Sequence, residues 1–252
     1  TTAAAIGSAL LTEVFGFSSG FVGYYRKRLI DFGSAIPFLI VSVPIAIIGA
    51  ILLATMKEQE VFLKGSYALL MLLLCPIILR HTPNDKIKDI KRIDNKKGSN
   101  LKTTRTITAK DGNIYKYDKP KLGLFGVFST GIGAFLTGLL SVGIGEVIMP
   151  QLVKRNRVPV AVAAATSVFT VIITIASASF TQVTALIAAG GINAIPWNLV
   201  VYTVPAVVIG GQIGPRLQGK ISQRAMEKII AILFGIIGVS MGFIVVRQLG
   251  VF

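Results

Sequence analysis

Residues 122–153 read LGLFGVFSTGIGAFLTGLLSVGIGEVIMPQLV, a run of 32 residues whose only charge is Glu146, set between Lys119 and Lys121 on one side and Lys154, Arg155 and Arg157 on the other. A helix needs roughly 20 apolar residues to cross the hydrocarbon core of a bilayer, so two full crossings would take about 40. Basic residues collect on the cytoplasmic side of membrane proteins, so both ends of this run lie on one side. The run is too short to cross twice and too long to cross once. It reads as one helix that enters, breaks at Gly143-Ile144-Gly145-Glu146, and returns through a short segment reaching Pro150 and Lys154. Irregular backbone at that depth is tolerated only where protein or a watery cavity surrounds it, so the break must lie inside a bundle of transmembrane helices.

The rest of the chain supplies the bundle. Apolar stretches cover Ala3–Tyr25, Phe32–Met56, Val61–Leu79, Val158–Ala189, Ile195–Ile213 and Ile229–Val246. Charged residues are 15% of the 252, against about a quarter in soluble domains. The first stretch lacks a basic leader and a small-residue cleavage site and carries Glu13, so it reads as a span and not as a secretory signal. Cys75, the single cysteine, has no intramolecular partner and reads as a small core residue.

The net charge of +15 is informative through its placement. Of 26 Lys and Arg, three lie in Arg26–Arg28, thirteen in Arg80–Lys121, three in Lys154–Arg157 and four in Arg216–Lys228. These four connections belong inside, where they face anionic lipid heads, while Gly190–Ala194 and Lys57–Lys64 belong outside. No aromatic-interleaved basic platform accompanies the charge, so nucleic acid is not an expected partner. The protein is therefore expected in the cell membrane as a multi-pass chain, with 80–121 cytoplasmic.

The signs also give the two triplets of spans opposite senses, so residues 1–79 and 122–252 read as inverted repeats joined by the loop 80–121. Residues 42–50 (SVPIAIIGA) resemble 203–211 (TVPAVVIGG), with Pro44 and Gly49 matching Pro205 and Gly210. In a second register, Ala5-Ile6-Gly7-Ser8 resembles Ala164-Ala165-Thr166-Ser167. Inverted repeats with broken helices are a transporter architecture. The first repeat has no counterpart of 122–153, and an N-terminal broken helix is expected to be missing from this chain.

Three motifs in order carry a resemblance: Gly138-Leu139-Leu140-Ser141-Val142-Gly143-Ile144-Gly145-Glu146-Val147-Ile148-Met149-Pro150, then Ala163-Ala164-Ala165-Thr166-Ser167, then Val204-Pro205 with Gly210, Gly211 and Gly214. Together they resemble the TauE/SafE family of sulfite exporters over nearly the whole chain apart from the polar loop. The family's glycine-rich signature has a third glycine where this chain has Glu146. The resemblance implies transport of a small sulfur-containing or organic anion, driven by an ion gradient without ATP.

The residues themselves fit an anion path. Broken helices present free backbone N–H groups to an anion, and Gly143, Gly145 and Pro150 mark such a break, while Pro44 and Pro205 free further backbone groups mid-span. Ser167, Thr170, Thr174, Ser177, Thr181 and Thr184 recur at steps of three and four and form one polar face, with Thr166 beside its start and Ser8, Thr12 and Ser19 as a shorter version on the first span. Such hydroxyls line a path or act as interhelical glue. Glu13 and Glu146 are the two acids inside apolar spans. Intramembrane acids are functional candidates by default, and both are candidate proton carriers, with Glu13 also readable as a packing partner.

In the polar loop, Thr103–Thr108 and Asn113–Tyr117 flank Lys110-Asp111-Gly112, which is the signature of a β-hairpin. The only histidine, His81, lies in this loop, and neither HExxH nor a Walker A motif occurs. An intramembrane enzyme is thus disfavoured, and no cofactor or metal is expected. The competing readings are an anion channel and a non-transporting membrane scaffold.

Overall fold

The structure is a computed structural model, describing residues 2–56, 59–79, 104–217 and 223–250. Among the described residues it is helical apart from one hairpin and the connecting loops. The helices are α1 (Thr2–Arg26), α2 (Phe32–Thr55), α3 (Glu60–Leu79), α4 (Leu124–Leu140), α5 (Ile144–Pro150), α6 (Val160–Gly190), α7 (Trp197–Leu217) and α8 (Gln223–Gln248). A π-helical turn, Gln151–Arg155, continues α5, and a 3-10 turn, Ile192–Ala194, links α6 to α7. Strands β1 (Thr104–Thr108) and β2 (Ile114–Asp118) pair antiparallel, Arg105 opposite Tyr117 and Ile107 opposite Tyr115. Among the described residues, five helices are long and apolar enough to cross a membrane, within α1, α2, α6, α7 and α8, and α4 is a shorter apolar helix.

Two units are distinguishable. In the smaller, α3 packs against α8. Gly238 seats Leu72, and Gly235 faces the Cys75 thiol, so the small residues let two helices approach closely. Lys64 pairs with Glu60 at 3.3 Å, one turn away.

The larger unit holds the remaining elements. Its core runs through Leu10, Phe38, Ala46, Ala134, Ile144, Ile148, Leu152, Val162, Val171 and Ile175. Helix α2 is central, packing on α4 and on α6. The α2–α4 contact is backbone on backbone: a Cβ on Gly49 would lie 2.5 Å from the Phe135 carbonyl oxygen, and one on Gly138 would overlap the Ala46 carbonyl. On the other flank α1 packs on α7, where a Cβ on Gly211 would overlap the Gly16 carbonyl. Thr12 Oγ1 meets Thr203 Oγ1 at 3.0 Å, and Ser19 Oγ donates to Val208 O at 2.7 Å. The pair Ser42–Thr174, at 2.7 Å between α2 and α6, parallels Thr12–Thr203. Apolar side chains such as Ile40, Phe180, Tyr202 and Val239 are exposed, which in a bilayer is the surface lipid covers.

Candidate functional site

The α4–α5 element doubles back. Gln151 Nε2 donates to Ser129 Oγ (3.0 Å) and Thr130 Oγ1 (3.1 Å), Arg155 lies 5.5 Å over the Phe125 ring, and Lys121 N–H donates to Asn156 Oδ1 at 2.9 Å. The two basic ends of residues 122–153 are therefore side by side, as their charges and length require. Asn156 also donates to Gln151 O at 3.1 Å, which closes the element's base.

The turn itself sits at Ser141–Gly143, just before the expected position, and Gly145 and Glu146 fall in the first turn of α5. Ser141 is left-handed (φ 63°) and its N–H returns to Thr137 O. Gly143 has φ 137°, and a Cβ there would lie 2.9 Å from Gly133 O. Only glycine takes that backbone without strain. Thr137 ties the turn: its hydroxyl donates to Gly133 O (2.9 Å) and accepts the Ile144 N–H (2.8 Å). Ile144, Ile148 and Leu152, at helical spacing, face the core, and a Cβ on Gly145 would stand 3.8 Å from Val171 of α6.

Glu146 bends back so that its carboxyl accepts its own N–H and that of Gly143, the reciprocal half of a capping box. It is exposed by surface area although protein surrounds it on most sides, which describes a side chain in an open recess. Glu13 of α1 is within electrostatic reach of Glu146 and beside Ser141. That contact is short of a well-formed hydrogen bond, since Ser141 Oγ is buried without a partner. The two intramembrane acids, read separately from the sequence, thus lie within electrostatic reach of each other, with Ser141 of the turn beside Glu13.

The other expected site residues divide. Pro150 ends α5 where the π-helical turn begins, and such turns favour functional sites. Thr166 accepts the backbone N–H of Asp31 at 3.0 Å. Ser167, Thr170 and Thr174 are buried and donate to the carbonyls of Ala164, Thr166 and Thr170. Ser177, Thr181 and Thr184 do the same along α6. A hydroxyl bonded back to its own helix still offers its oxygen as an acceptor, and Thr174 uses it across the helix interface. Thr174 holds Ser42 in this way. Ser8 and Thr12 donate to Ala5 O and Ser8 O and lie on the side of α7, where Pro205 is; Pro44 lies in α2 between Ser42 and Ala46.

Sequence reading passed over Asp31, Thr137, Ser141 and Gln151. Asp31 had a signal: Asp31-Phe32-Gly33-Ser34 before an apolar run is a helix start, and Asp31 Oδ1 accepts the Ser34 N–H at 3.1 Å. Asp31 is also the anchor of the hairpin. Tyr117 Oη donates to its Oδ2 at 2.7 Å, Ser34 Oγ donates to the same oxygen, and Arg105 lies 3.7 Å away. Burial alone would raise the Asp31 pKa, but the Ser34 and Tyr117 hydrogen bonds and the Arg105 charge hold it below the ordinary carboxylate value. Burial, then the neighbouring carboxylate, pushes the Tyr117 phenol far up.

Residues 1–241 match the family model described as "Sulfite exporter TauE/SafE". Over 242 residues, 94% of this chain and 80% of the relative, the sequence is 26% identical to "Probable membrane transporter protein YunE" of Bacillus subtilis (strain 168). No solved structure matches.

Proposed function

We infer the activity of this chain from the family to which it belongs, the sulfite exporter TauE/SafE family, and from the chemistry of its broken helix. It is a membrane transporter, and in our reading a secondary transporter of a small sulfur-containing or organic anion of the sulfite type, coupled to a proton gradient. One observation carries the reading: the two intramembrane acids, from α1 and α5, lie within electrostatic reach of each other near the turn where α4 breaks.

The turn supplies what an oxyanion needs, uncharged donors at depth. Ionised Glu146 engages the Gly143 N–H and its own, donors that an incoming anion would use. Two anions cannot share them without repulsion. Protonation of Glu146 removes one charge and weakens its hold on the N–H groups, because a neutral acid is the poorer acceptor. The proton thereby prepares the turn for the anion. The buried Ser141 hydroxyl, at the turn and beside Glu13, is a further donor. Inverted repeats 1–79 and 122–252 provide alternating access in this reading, supported by the parallel packing of α2 on α6 and of α1 on α7.

Reconstituted protein should show saturable uptake of radiolabelled sulfite that is accelerated by sulfite loaded inside. Thiosulfate, sulfate, sulfoacetate and small carboxylates serve as competitors to rank the anion class. Uptake without such trans-stimulation would indicate a channel, and no uptake of any of these anions would leave the scaffold reading.

A further inference from the structure

We propose that the β1–β2 hairpin is a movable gate over the basic end of the larger unit, latched by Asp31. The proposal rests on the transport reading above and adds the element that closes one side of the path.

The hairpin is two-faced. Arg105, Ile107, Ala109, Tyr115 and Tyr117 are buried or partly buried while Thr106, Thr108, Ile114 and Lys116 are exposed, the strict alternation of a strand pair laid on a core. Ile107, Ala109, Tyr115 and Tyr117 join the cluster that contains Leu29, Ile30, Leu152 and Val158. Leu152 belongs to the returning leg of the broken element, so the hairpin packs in the same cluster as that leg, at its basic end.

Three of its polar fastenings go to one short connection. Lys110 N–H donates to Lys27 O at 3.0 Å; Tyr117 and Arg105 converge on Asp31; and Arg105 packs against Gly33, where a Cβ would overlap its guanidinium. Two strands alone are marginal in water, so this hairpin depends on its apolar face against the cluster and on bonds such as those to the buried Asp31 carboxylate. That is a reversible attachment.

Asp31 also reaches the transport element. Its N–H donates to Thr166 of α6, five residues before Val171, from which a Cβ on Gly145 would stand 3.8 Å. Freeing the hairpin takes two of the groups at the Asp31 carboxylate away and leaves it buried with Ser34. Docked hairpin and present position of α6 therefore favour each other through one residue.

The test needs no substrate. In a Cys75→Ser background, Gly145→Cys places a thiol where there is room for a Cβ, and a membrane-impermeant methanethiosulfonate is applied from the side on which Gly112→Cys reacts. Asp31→Ala, with Tyr117→Phe as a milder companion, should speed Gly145→Cys labelling at least tenfold while the protein stays monodisperse. Ile107→Cys, on the docked face, reports undocking. If it becomes reactive in Asp31→Ala while Gly145→Cys labelling is unchanged, the hairpin is not a gate. If neither changes, Asp31 is not its latch. A negative result here leaves sulfite exchange untouched, and absent exchange leaves the labelling result valid, so the two readings fail separately.

Discussion

Gly49 and Gly210 occupy matching positions in the 42–50 and 203–211 segments, yet the structure gives them opposite surroundings. A Cβ on Gly49 would stand 2.5 Å from Phe135 O, 3.1 Å from Leu139 N and 3.2 Å from Gly138 Cα, all backbone of α4, whereas a Cβ on Gly210 would meet nothing within 4 Å. A carbon and a carbonyl oxygen settle at about 3.3 Å or more, so Gly49→Ala must part α2 and α4 by about 0.8 Å. Rigid overpacking of this kind costs about 1–3 kcal/mol, offset by up to about 1 kcal/mol of helix propensity gained when Gly becomes Ala. With that offset in full, the net is about 0–2 kcal/mol of destabilisation. Gly210→Ala keeps only the gain. The two variants should differ by about 2 kcal/mol, which for a chain of this length is about 4–8 °C in melting temperature. Thermal unfolding of the purified proteins, followed by loss of the monodisperse peak, should rank Gly210→Ala at or above the parent and Gly49→Ala clearly below Gly210→Ala. Equal melting temperatures would refute the backbone contact between α2 and α4.

Other outcomes follow from single groups. Thr137→Val should leave the buried Ile144 N–H without an acceptor and lower stability by about 1–3 kcal/mol, with Thr137→Ser restoring most of it in the same melts. Because the folded Asp31 pKa is lowered, its contribution to hairpin docking is present above about pH 4 and fades as pH falls through the folded value. The raised Tyr117 pKa makes its contribution full below about pH 10 and lost as pH climbs above that. Hydrogen exchange in residues 105–117, corrected for intrinsic rate, should therefore be slow and flat between these limits, and Asp31→Asn should change the acid limb. A cysteine at Gly112 should react only from the cytoplasmic side, and labelling from outside would reverse the orientation assigned to the basic loops.

The membrane class, the doubling back of residues 122–153 and the hairpin were legible because each follows from a rule with a short range. Span length and flanking charge dictate the first two, and Asp111-Gly112 between alternating strands dictates the third. The turn lies nearer Ser141 because Thr137 captures the Ile144 N–H, a side-chain choice that glycine counting does not register. Glu13 could be flagged as an acid in a span, but its lying within electrostatic reach of Glu146, a residue 133 positions away, is set by how α1 packs. The hydroxyl face of α6 was visible as a period. Whether each hydroxyl bonds inward or back to its own helix depends on rotamers, and all six bond back. Asp31 carried a helix-start signal, but its role as hairpin anchor needed Tyr117 and Arg105 brought to it from a distant segment.

The central claim is that a proton on Glu146 frees the turn for an anion, and Glu146→Gln tests it most directly. The amide keeps the size of the neutral acid and no longer titrates. Glu13, within electrostatic reach of Glu146, is not an independent control, so the comparison is made within the variant between two modes of transport. In proteoliposomes, sulfite exchange at equal concentrations should survive in Glu146→Gln, while uphill uptake driven by a pH gradient should collapse to the level of passive equilibration. Undiminished pH-driven accumulation by the variant would contradict the account.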